Sequence, residues 1–444
     1  MLSDTLTSCF LTTTFNAPGG LMKMRITDGD ALHLIGGYGL GIDYTVRLSL
    51  RLLDEIDPDI LARAVEKTQQ RFPYLNLRVR KDEQDFYAEE NPAPIVIHHT
   101  DEKISLGTPG SNYHIWSVCY NADRLHLDIS HGFLDGTGMY NVLRTLLYYY
   151  CAERYGVTDH SGILTLEDPI LPEESRDPAD EMPDMDLSKV AIPERPAAFS
   201  LTEDAGLTPS EPILRDIIIP EEAFVRFSSA HDASPGTMIS ILMSRTIDKL
   251  FPERTAPLTN SYVINARPMV GKLLTHHNCV RTVIFTYTDR IKAMPFDRQC
   301  TVHRGTTFIQ SDTGKVFGQI MVSANQRRMV DKMAPTAEGK KQIFAKMLNK
   351  GNSLFTYMVS YVGQWRWQQL SPYILEFWTH VPNVNNLLTE IAAVNGKIFL
   401  SLHQNFKEDT VLNCFLRQLD ENSISYTVKP PCPNDNPRFP EPDI

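Results

Sequence analysis

The chain has 444 residues, 42% hydrophobic and 22% charged: enough apolar material for sizeable cores, and a length that suggests two or three domains. Its formal net charge of -11 argues against nucleic acid as the main partner, because phosphate binding needs a dense basic surface, although one local basic pocket stays open. Seven scattered cysteines without a Cys-x-x-Cys pair read as buried small hydrophobes in a reducing compartment. The first ten residues lack the basic and apolar regions of a secretory signal, and no apolar run approaches the ~20 residues that span a bilayer, so the expected location is the cytoplasm.

Along the chain, Gly36-Gly37-Tyr38-Gly39-Leu40-Gly41 precedes a strand instead of opening a helix, and no Gly-Lys-Ser/Thr follows. It reads as a flexible turn, not a phosphate loop. Residues 45–53 alternate polar and apolar side chains, the pattern of a half-buried strand. Asp57 then caps, and Pro58 opens, a helix with Leu61, Ala64, Val65 and Thr68 on one face, limited by Pro73. Alternation returns over 75–80, completing a strand–helix–strand pattern. A strand over Arg124–Ser130 leads into His131-Gly132-Phe133-Leu134-Asp135-Gly136, and a helix follows over 137–154, where Tyr148, Tyr149 and Tyr150 read as packing or surface.

Eight prolines among many acidic residues make 166–212 an extended connection. A second α/β unit follows, with strands expected over 214–219, 258–264 and 397–403 and helices over 220–227, 236–250 and 410–419. The domain reading is therefore 1–165, a linker 166–212, a second unit 213–428, and a proline-rich, disordered tail 429–444. His276-His277 and His98-His99 are expected to point apart on strands, without a further ligand pair at useful spacing, so no metal site is expected. Arg327-Arg328 and Lys340-Lys341 read as solvated helix faces, with the phosphates of a nucleotide-bearing ligand as the rival explanation.

The chemistry concentrates at residues 131–136. An imidazole held at the end of a strand, beside a glycine turn, can take a proton from an alcohol, thiol or amine as that group attacks a carbonyl. Taken alone, His-x-x-x-Asp-Gly also fits a buried histidine followed by a helix-capping aspartate. It does not stand alone. The order of landmarks (the helix before Arg71-Phe72-Pro73-Tyr74-Leu75, the strand before the motif, the long crossover, Asn265-Ala266-Arg267-Pro268 and Ser360-Tyr361-Val362-Gly363) resembles the condensation-domain and alcohol acetyltransferase superfamily over residues 40–425.

The resemblance implies an α/β fold of two chloramphenicol acetyltransferase-like subdomains in a V, with a tunnel between them. It implies an acyltransferase that moves an acyl group from a thioester to a hydroxyl or amine without an acyl-enzyme. The co-substrate would be acyl-CoA or a phosphopantetheine thioester on an acyl carrier protein; no permanently bound cofactor and no metal are implied. His131 would be the general base, and Ser360 would help to stabilise the oxyanion. Asp135 would pair with Arg267 as a brace, and Gly136 would allow the turn. Ser130, Tyr361, Gly363 and Trp365 are the tunnel candidates. Ser130 stands where peptide-synthetase condensation domains usually carry a second histidine, Tyr361 stands where relatives usually place asparagine, and the plant Asp-Phe-Gly-Trp-Gly loop is missing. These departures favour a stand-alone, alcohol acetyltransferase-like enzyme. The alternatives are a carrier-dependent, amide-forming condensation enzyme and a non-catalytic binding relative.

Overall fold

Structure is described for residues 14–15, 23–180, 182, 195–382, 387–433 and 442 of a computed structural model. The first half builds α1 (Asp28–Leu40), β1 (Thr45–Leu52), α2 (Pro58–Arg71), β2 (Trp116–Asn121), β3 (Arg124–Ser130) and α3 (Gly136–Tyr155). In the second half come β4 (Pro209–Pro220), α4 (Pro235–Leu250), β5 (Leu258–Asn265), β6 (Val280–Tyr287), α5 (Thr313–Met333) and α6 (Ala337–Asn352). They are followed by β7 (Tyr357–Gln364), β8 (Ile374–His380), β9 (Leu387–Val394), β10 (Lys397–Phe406) and α7 (Thr410–Glu421).

The strongest local signals form as read. Asp57 Oδ1 accepts from the Asp59 and Ile60 amides at 3.0 and 3.1 Å, so it caps α2 with Pro58 in the first turn. In β1 the alternation is present, but both faces are covered, not one. Arg47 and Ser49 on the polar face are satisfied across the sheet, Arg47 by Asp128 at 2.7 Å and Ser49 by His126 at 2.9 Å. Buried polar groups persist when paired in this way.

Residues 36–41 are not a flexible turn. They finish α1, and Gly41 closes it in the left-handed conformation at φ 66°. The glycines serve helix–helix contact: a Cβ at Gly39 would lie 2.7 Å from the Ala345 Cβ and 2.8 Å from the Lys341 carbonyl of α6. Nor are Arg327 and Lys340 solvated. Arg327 is fully buried, and both side chains bond Asp85, at 2.6 and 2.8 Å, while also reaching Asp331. This network ties α5 and α6 to the hairpin of Leu77–Lys81 and Phe86–Glu90 in the first half.

Sheet membership does not follow the division of the chain. A five-stranded sheet runs β8–β1–β3–β2 and ends on Ile97–His99, so a strand of the second half hydrogen-bonds antiparallel to β1. An eight-stranded sheet runs β6–β5–β7–β9–β10–β4 and continues to Thr427–Val428, with Cys432–Pro433 also paired to β4. That pairing involves the start of the expected disordered tail; residues 434–441 and 443–444 lie outside the described residues. The connection is likewise anchored at its start. Glu174, in the 3-10 turn Pro172–Ser175, is buried and bonds Arg71 at 2.9 and 3.0 Å and Tyr74 at 2.6 Å. Two main cores result, the first including Trp365, Phe377 and Trp378 from the second half, the second built on α4, α7 and the large sheet. No helix among the described residues is long and apolar enough to cross a membrane.

Candidate active site

β3 delivers its last residue, Ser130, to a tight turn. The His131 amide donates to the Tyr44 carbonyl at 2.7 Å, and the His131 carbonyl accepts from Asn278 Nδ2 at 2.9 Å. Ser130 is buried, and its Oγ accepts from the Gly132 amide at 3.3 Å. The backbone of His131 is thus clamped from both halves, while its ring is only half-buried. The ring stacks on that of His33, from α1, with centroids 5.6 Å apart and planes 11° apart. Its Nδ1 is buried without a hydrogen-bond partner among the described residues.

Four residues on, Asp135 has two jobs. Its Oδ1 caps α3, accepting from the Thr137 and Gly138 amides at 3.1 and 3.2 Å. The same fully buried carboxylate takes Arg267 side-on, Nη1 to Oδ2 at 2.7 Å and Nη2 to Oδ1 at 2.8 Å, and the Cys279 amide donates to Oδ2 at 2.9 Å. Arg267 is completed by the carbonyls of Thr275 and His277 at 2.9 and 3.0 Å and by Asn265 Oδ1 at 3.3 Å. A two-point arginine–carboxylate contact fixes orientation as well as distance. Gly136 opens α3 directly behind the cap. The tightest approach falls two residues later, where a Cβ on Gly138 would sit 2.5 Å from the His276 carbonyl oxygen.

The His276-His277-Asn278 segment lies in the loop before β6, not on a strand, and its two rings do not point apart: their centroids are 4.0 Å from each other. His277 Nδ1 bonds Asp30 at 2.6 Å, and Asp30 also accepts from the Asn278 side chain at 2.8 Å and the Asn278 amide at 3.2 Å. Burial opposes protonation of His277, but the Asp30 carboxylate outweighs it and raises the pKa. Burial, and then His277, push His276 well down. Burial is also the main reason that His33 is lowered to about 4, with His131 and Arg281 adding to it. Among the described residues, no group of three potential ligands gathers to hold a metal ion.

The second candidate segment sits elsewhere on the large sheet. Ser360 lies on β7 opposite Glu390 of β9, and its side chain hydrogen-bonds that carboxyl. No hydrogen bond joins it to His131 among the described residues. Burial pushes Tyr361 up to about 12. Gly363 takes φ 114° where the β7–β9 register shifts, and Trp365 is buried among Trp367 and Phe377. Sequence reasoning did not single out His33, Asp30, Tyr44 or Glu390. The first two lie on α1 ahead of the segment read as a turn, in a helix the sequence reading did not foresee, and the carboxyl of Glu390 gains its setting only from strand pairing.

A histidine clamped at a strand end lies at the seam of two α/β halves that a buried aspartate–arginine pair joins. Comparison with solved structures places that fold. The chain matches polyketide synthase associated protein 5 from Mycobacterium tuberculosis at TM-score 0.57 and 11% identity, covering 91% of this chain and 98% of that one. TRI101 of F. graminearum, complexed with coenzyme A and T-2 mycotoxin, matches at 0.57 and 12%, covering 91% and 99%. The first condensation domain of the calcium-dependent antibiotic synthetase, in complex with a substrate analogue, matches at 0.61 and 14%, again covering 91% and 99%. The fold is thus the one shared by condensation domains and chloramphenicol acetyltransferase-like enzymes, as the sequence resemblance implied. At the level of sequence, no protein-family profile and no curated protein matches the chain significantly.

Proposed function

We propose that this protein transfers an acyl group from a thioester to a hydroxyl or amine, with the ring of His131 as general base. The observation that carries the reading is the setting of His131: backbone clamped by Tyr44 and Asn278, ring half-buried, Nδ1 sealed from solvent. A base must be held rigidly and still present one reactive nitrogen, here Nε2. The acceptor's nucleophile gives its proton to Nε2 as it attacks the thioester carbonyl. The tetrahedral intermediate then collapses, the carbon–sulfur bond breaks, and the thiolate recovers the proton from the imidazolium. No acyl-enzyme is formed.

Asp135 and Arg267 act on this base indirectly, by fixing the start of α3 against the loop 275–279. Ser360 is the candidate oxyanion donor; burial keeps Glu390 protonated near neutral pH, so the carboxyl can donate to Ser360 Oγ and leave the single Ser360 O–H for the oxyanion. Tyr361, Gly363, Trp365 and Ser130 are proposed to bound the substrate path. For the donor we favour acyl-CoA over a carrier-bound thioester, since TRI101 is a coenzyme A-binding structure of the same fold and Ser130 replaces the second histidine of peptide-synthetase domains. An alcohol acetyltransferase-like enzyme acting in the cytoplasm is the most specific form of this proposal.

A mass-spectrometric screen of short and medium acyl-CoA thioesters against pooled alcohols and amines tests it. Turnover is expected, with a drop of at least ~100-fold in His131→Ala, the usual scale for losing a general base. Acylation that persists at the wild-type rate in His131→Ala would remove His131 from the chemistry.

A further inference from the structure

Within electrostatic reach of His33, whose ring stacks on that of His131, lies a cation without a counter-ion among the described residues. Arg281 is the second residue of β6, three positions after Asn278, whose side chain holds the His131 carbonyl. Its Nη1 donates only to the neighbouring Val280 carbonyl, at 2.6 Å, and its Nε is buried with no partner among the described residues. The carboxylates whose fields reach it are already committed. Asp135 is taken by Arg267 and the α3 cap, and Asp30 by His277 and Asn278. Asp177 accepts from the Asp28 and Ala179 amides at 3.0 and 2.8 Å.

The cost of leaving a guanidinium in this condition is visible in its surroundings. Burial lowers the pKa of Arg281 despite those carboxylates, and the positive charge helps to keep His33 neutral. Arg281 is half-buried with its Nε sealed and unpaired among the described residues, which is costly for a cation, and its fork of N–H donors is the geometry that recognises a carboxylate. Phosphates offer the same anionic chemistry, but in a pantetheine thioester they lie a full pantetheine arm from the reacting carbonyl. Arg281 acts instead on His33, whose ring is 5.6 Å from that of His131.

We propose that Arg281 is the recognition point for a carboxylate on the acyl acceptor, making the acceptor a hydroxy- or amino-carboxylic acid whose nucleophile faces His131. The inference rests on the reading of His131 as the base, and it deepens that reading by naming the acceptor class.

The test separates binding from turnover. Protein labelled with 15N-histidine is titrated with lactate, 3-hydroxybutyrate and salicylate, each against its methyl ester, and with inorganic phosphate. The His33 and His131 ring signals report occupancy in wild type, Arg281→Gln and Arg281→Lys. The acids are expected to bind at least ~10-fold more tightly than the esters, the scale of one hydrogen bond to a charged group. That preference should vanish in Arg281→Gln and be partly retained in Arg281→Lys. Equal binding of acid and ester in wild type overturns the proposal, as does a preference that survives Arg281→Gln, or Arg281-dependent binding of phosphate alone. The same compounds are then assayed as acceptors with acetyl-CoA. An Arg281-dependent acid preference without any acyl transfer leaves the anion subsite standing and sinks the acyltransfer reading. Acyl transfer that needs His131 but shows no acid preference does the reverse.

Discussion

Asp135 shows how much one carboxylate can be asked to do. It caps α3 through Oδ1 and neutralises Arg267 through both oxygens, with neither residue more than 2% exposed. Removing one member of such a pair leaves the other charge buried alone, which costs roughly 3–5 kcal/mol. Arg267→Met should therefore lower stability by about that amount. Asp135→Asn should do the same while keeping an acceptor for the cap. Asp135→Ala loses the cap as well and should be worse by ~1 kcal/mol. The double variant Asp135→Asn/Arg267→Met buries no lone charge, so its loss should fall short of the sum of the singles by ~1–3 kcal/mol. Urea denaturation of the four variants checks the ranking. Strict additivity would mean that the pair does not act as a unit.

At the scale of elements, pairing creates chemistry that no single segment contains. The parallel register of β7 and β9 sets Ser360 opposite Glu390, and β10 adds Ser401 on the other side. Glu390 is 6% exposed, and burial lifts its carboxyl from 4.5 to about 8, with the Ser360 hydrogen bond only partly countering this. Between those two values the folded chain keeps a proton that the unfolded chain has released. Stability is therefore highest below the unfolded value and is lost as pH rises through the folded one. Glu390→Gln removes this titration. The variant should match wild type near pH 4 and gain steadily, by ~2 kcal/mol or more at pH 8. Thermal melts across that range test it; a gain that does not change with pH would mean that Glu390 is ionised in the folded protein.

The same scale explains what could be read in advance. Where local signals agreed, elements formed within a few residues of expectation: Asp57 and Pro58 opened α2, and the alternation before His131 gave β3. The Asp135–Arg267 contact was implied by family likeness, not by any local pattern. Local reading failed where a partner decided the outcome. Gly36 and Gly39 look like breakers until α6 lies across them, when their lack of a side chain becomes the reason for the contact. Arg327 and Lys340 look solvated until Asp85 arrives from a distant hairpin. His33 came from the helix that was not foreseen, so the imidazole stacked on His131 was invisible, as was the unpaired charge of Arg281.

Across the whole molecule, the two halves of the chain are not two independent folding units. β8 supplies an edge strand to the sheet of β1 and β3, and Phe344, Trp365, Phe377 and Trp378 fill the first core from beyond the crossover. Asp135 with Arg267, Glu174 with Arg71, and Asp85 with Arg327 and Lys340 add polar ties, the first and third directly between the halves. Cut at residue 200, the first piece would lose its β8 neighbour, exposing the ladder groups of β1 and the apolar face that Trp365 and Phe377 cover. An unpaired strand edge beside exposed apolar surface is a template for aggregation. Residues 1–200 expressed alone should therefore be insoluble or lack a cooperative transition. Co-expression with 201–444 should restore a soluble complex, because the second piece carries the missing strand and aromatic side chains. The intact chain should unfold in a single step by both circular dichroism and tryptophan fluorescence, since three of its four tryptophans, 116, 365 and 378, sit in the shared first core. Two separated transitions, or a soluble and cooperatively folded 1–200 fragment, would show that the shared sheet is not what holds the first half together.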